Sequence, residues 1–197
     1  MQSIASMFKQ VSARLMVLSY TVGEFSKIFH ILLNYIKSAP EDNFESPGKK
    51  SFKEVPLYFT KKGERAIQEK LSEFPHVFQT GGARFNWQKL KELGFAKKGE
   101  KDPGHQESHP SFLYLMGQVL SALAIKIDFL EFKDKEFYKK HEDEFKALFK
   151  IWGSKENMNA YHLFSDFESM NNASARKKME NKISDSIAIL DKIDTKI

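Results

Sequence analysis

Two histidines and two carboxylates share one short stretch of this chain, where residues 102–109 read Asp-Pro-Gly-His-Gln-Glu-Ser-His. Imidazole and carboxylate together suit a borderline divalent metal. His105 and His109 are therefore the metal-ligating candidates, with Asp102 and Glu107 beside them. The position of the acid argues against a site. A metalloprotease helix carries two histidines one turn apart, with Glu directly after the first; here Gln106 follows His105. Gly104 and Pro110 oppose a rigid helix across the pair. The expectation is a polar loop that contains two histidines, with no metal and no cofactor.

Other reactive arrangements are scarcer still. His162 and Asp166 stand one helical turn apart, as do His141 and Phe145. A histidine on an amphipathic helix is read here as a hydrogen-bonded residue at the edge of the core, and the neighbouring acid as its structural partner. Cysteine is absent, which removes thiolate nucleophiles, disulfides and Cys-ligated zinc. No Gly-x-Ser-x-Gly elbow, phosphate-binding loop or dinucleotide glycine motif is present. The chain is expected not to be an enzyme.

A basic, aromatic middle suggests a different chemistry. Residues 49–101 hold 13 Lys and Arg against six Glu, whereas residues 111–197 carry 14 of each sign. Lys49, Lys50, Lys53, Lys61, Lys62, Arg65, Arg84, Lys97, Lys98 and Lys101 are candidates for neutralising phosphates. Trp87 and the rings of Phe52, Tyr58, Phe59, Phe74, Phe78, Phe85 and Phe95 are interleaved with them. Exposed rings would stack on unpaired bases; otherwise they form a small local core. Only four of the 31 basic residues are Arg, so sequence-specific base reading is disfavoured and nonspecific backbone contact favoured. Residues 58–65, Tyr-Phe-Thr-Lys-Lys-Gly-Glu-Arg, resemble the strand-to-last-helix junction of winged-helix domains. Residues 90–95 are similar to the end of their recognition helix. The two stretches occur in the reverse of that family's order, and no membership follows.

The strongest pattern lies at the N-terminus. Apolar residues at Ile4, Phe8, Val11, Leu15, Leu18, Val22, Phe25, Phe29, Leu32 and Ile36 step by four and three without a break. That is a heptad seam, and it predicts a helix over residues 3–37. At 1.5 Å per residue this rod is about 50 Å long. A compact globule of this chain length is roughly 40 Å across. Either the rod bends near residues 20–23, or its N-terminal part projects and needs a partner. Ile4, Phe8, Val11, Leu15 and Leu18 are accordingly the candidate partner-binding residues, for a second copy or another helical protein.

The remaining elements follow from apolar period and punctuation. Residues 40–50 read as an exposed loop, and residues 55–59 as a strand limited to an edge by Pro56. Thr60 caps a helix over 61–73, and Asn86 caps a short one over 87–93. Residues 96–110 form a polar loop. Ser111 opens the most apolar helix, over 111–132. Helices over 134–151, 156–170 and 173–195 follow, the last with Met179, Ile183, Ile187, Leu190 and Ile193 on one stripe.

The fold class is all-α: a bundle of six or seven helices with a small loop-rich or α+β basic subregion. Its parts are the heptad helix in 1–40, the basic subregion in 41–110 and a helical core in 111–197, joined in one domain. No secretory signal is expected from the short apolar stretch 15–22. The longest apolar run, 112–125, contains Gln118 and falls short of the roughly 20 residues a membrane span needs. The expected setting is cytoplasmic. The functional expectation is a non-enzymatic helical interaction protein acting through the N-terminal stripe, with nonspecific nucleic-acid binding by 49–101 as the alternative.

Overall fold

A computed structural model describes residues 19–45, 56–74 and 111–193. These form seven α-helices and one two-stranded antiparallel hairpin. In chain order they are α1 (Val22–Ser38), β1 (Phe44–Glu45), β2 (Tyr58–Phe59), α2 (Lys61–Lys70), α3 (Phe112–Lys133), α4 (Lys135–Lys140), α5 (Glu142–Ile151), α6 (Ala160–Phe167) and α7 (Asn172–Leu190). The all-α bundle with a small α+β corner is the architecture found.

The helix expected over 3–37 is interrupted at residues 19–21, at the bend expected near 20–23; residues 3–18 lie outside the described residues. α1 begins at Val22, because Thr21-Val-Gly-Glu24 is a capping box. The Glu24 amide donates to Thr21 Oγ1 at 3.1 Å, and the Thr21 amide donates to a Glu24 carboxylate oxygen at 3.2 Å. Two otherwise orphaned donors are thereby satisfied. Val22, Phe25, Phe29, Leu32 and Ile36, the second half of the seam, are almost fully buried. They lie where α1 packs along α7.

Residues 40–45 are more ordered than a loop. A 3-10 turn over Glu41–Asn43 leads into β1, which pairs Phe44 with Phe59 and Glu45 with Tyr58. The rings of Tyr35, Phe44, Phe59 and Phe112 then meet at centroid distances of 5.8–6.2 Å, tying α1, the hairpin and α3 together. Tyr35 donates its hydroxyl hydrogen to the Gly63 carbonyl at 3.1 Å and accepts from Asn43 Nδ2 at 3.2 Å. Burial raises the Tyr35 pKa above the usual phenol value, against the opposing pull of Asn43 and Arg176. Gly63 is required at this point, since a Cβ there would lie 2.1 Å from the Asn43 carbonyl oxygen.

Leu57 precedes β2 with φ at 65°, in the left-handed region that costs a branched side chain roughly 1–2 kcal/mol. The strain is held from both sides. The Leu57 amide donates to Asn172 Oδ1 at 2.9 Å, and its carbonyl accepts from the Phe112 amide at 2.8 Å. Its side chain is fully buried.

α3 is the central helix, capped by Ser111, and packs against α4 and α6. Among the described residues it is the one helix long and apolar enough to cross a membrane, although more than half of it is buried inside the bundle. Its approach to α6 is close: a Cβ on Gly117 would lie 2.4 Å from backbone atoms of Ala160. The helix expected over 134–151 is two helices. They break at His141, whose backbone leaves helical geometry (φ −113°, ψ 17°). The helix expected over 156–170 is shorter, running over α6 alone, and ends before Ser169 at φ 62°.

Candidate functional site

The last helix organises the bundle. α7 is rich in charge, yet three of its cations bind the carbonyl ends of other helices. Arg176 donates from Nε and Nη2 to the Ile36 carbonyl at 3.1 and 2.9 Å, and from Nη2 to the Ala39 carbonyl at 2.8 Å. Those are carbonyls of the C-terminal turn of α1. Lys178 donates to the Asp166 carbonyl at the end of α6, at 2.9 Å. Lys182 donates to the Ile151 carbonyl at the end of α5, at 2.7 Å. Helix C-termini expose unpaired carbonyls and the negative end of the dipole, so each contact is favourable twice over. Asn172, at the start of α7, completes the set by bridging the Glu45 carbonyl and the Leu57 amide, both at 2.9 Å.

Each cation also lies over a ring: Arg176 over Phe44 at 5.2 Å, Lys178 over Phe167 at 4.6 Å and Lys182 over Trp152 at 5.4 Å. Trp152 Nε1 donates to Ser186 Oγ at 3.0 Å, and Ser186 passes its own hydrogen to the Lys182 carbonyl at 2.8 Å. Burial lowers the Lys182 pKa below the ordinary lysine value, with Asp166 opposing. An amine so shifted is a nucleophile candidate by chemistry. Its bond to a backbone carbonyl gives it a capping role instead.

One constellation carries the residue types of a hydrolase without the order. Ser26 on α1 donates to Asp191 at 2.7 Å, and His30 Nε2 lies 3.6 Å from the other Asp191 oxygen. A nucleophilic serine gives its proton to the imidazole, which the carboxylate orients. Here the serine hydroxyl donates its hydrogen bond to the carboxylate and not to the imidazole, and the Ser26–Asp191 bond links α1 to the end of α7. The i, i+4 spacing of Ser26 and His30 was visible in the sequence; Asp191, 161 positions beyond His30, was not connected to it.

No family model, no curated protein and no solved structure matches this chain.

The residues singled out from sequence fare unevenly. Ile4, Phe8, Val11, Leu15 and Leu18 lie outside the described residues, as do Lys49, Lys50, Lys53, Arg84, Trp87, Lys97, Lys98, Lys101, His105 and His109. Lys61, Lys62 and Arg65 are exposed together on α2, where Lys62 pairs with Asp42 at 2.8 Å. Tyr58, Phe59 and Phe74 are buried, so these three rings belong to the core and offer no face for a base to stack on. His162 and Asp166 are exposed. His141 departs from the expectation of a hydrogen-bonded core-edge residue. It is 6% exposed and packs 4.9 Å from the Phe137 ring, and neither ring nitrogen has a hydrogen-bond partner. Among the described residues, no three His, Cys, Asp or Glu gather where a metal ion would sit.

Proposed function

We propose that this chain is a non-enzymatic helical interaction protein, assembling through the apolar stripe of Ile4, Phe8, Val11, Leu15 and Leu18 with a second copy or another helical protein. The observation that supports this reading is the capping box at Thr21. It ends the continuity of the heptad seam. The half from Val22 to Ile36 is spent inside the chain against α7, so it is not available to a partner, and the apolar four-three pattern of Ile4 to Leu18 calls for a cover of its own.

Light scattering on the full chain tests it. The expected result is a mass above that of one chain, unchanged in high salt because apolar burial is not screened. The double variant Leu15→Glu, Leu18→Glu should return to a single-chain mass with unaltered far-ultraviolet circular dichroism. A full chain that is monomeric at high micromolar concentration overturns the reading. The alternative, nucleic-acid binding through the Lys-rich middle, keeps Lys61, Lys62 and Arg65 at the surface. It predicts salt-sensitive binding of single-stranded RNA by the same protein.

A further inference from the structure

We draw no further inference here: the strongest candidate, the apolar arc of Ile125, Phe129 and Phe132 on α3, already has Lys126 and Lys133 over its two rings, and nothing in the structure shows what covers it.

Discussion

α3 and α7 are the two long helices around which the bundle closes, and they hold it by different means. α3 works by fit: it is apolar nearly all round, and at Gly117 it comes so close to Ala160 that no side chain is tolerated. α7 works by address. Its buried stripe of Met179, Ile183, Ile187 and Leu190 supplies apolar contact, and four of its polar residues, Asn172, Arg176, Lys178 and Lys182, reach particular carbonyls of other elements. The difference teaches how to read charge on a helix. Arg176 and Lys182 look in sequence like a solvated face, yet they terminate α1 and α5. Apolar packing brings helices together without direction, whereas a cation at a carbonyl end fixes where the neighbouring helix stops.

The contrast can be broken from either side. Gly117→Ala should have the largest effect, about 3 kcal/mol of lost stability in denaturant titration, because the added carbon meets backbone that cannot move aside. Ala160→Gly should not rescue it, since two of the three clashing atoms are main-chain. Arg176→Met comes next, at about 2 kcal/mol, through the loss of three charge-assisted bonds. Arg176→Lys should recover less than half of that, because one ammonium cannot reproduce the forked geometry. A full recovery would mean that position needs only charge.

Lys182→Met should be the mildest and the most informative about pH. The folded state holds the Lys182 pKa below its ordinary value. It therefore binds fewer protons there than the unfolded chain, and the cost of the buried charge is lifted as pH rises through that window toward the unfolded lysine value. Wild-type stability should climb relative to the variant over this alkaline range. Burial raises the Tyr58 and Tyr114 pKa values in both proteins and acts the other way, so it cancels in the difference. A gap that does not change with pH would show that Lys182 titrates normally.

Much of this was legible in the chain itself. The apolar period placed α3 and α7, and Thr60 and Ser111 marked helix starts as N-caps because their hydroxyls accept from the third residue onward. The Thr21–Glu24 box was equally local, but an unbroken apolar step masked it. The break at His141 had no local sign, since neither Gly nor Pro stands there. Of the candidate partner-binding and nucleic-acid residues, only Lys61, Lys62 and Arg65 fall where the structure describes them.

By itself, the order of residues determined which stretches coil and which edge of each coil avoids water. Those properties depend on neighbours within a turn or two along the chain. Tertiary structure alone decided that Arg176 caps α1 across 137 residues, that Asn172 clasps a strained Leu57, and that Ser26 gives its hydrogen to Asp191. A side-chain donor carries no record of which distant carbonyl it will meet; that is settled only when packing brings the two together and removes the water between them.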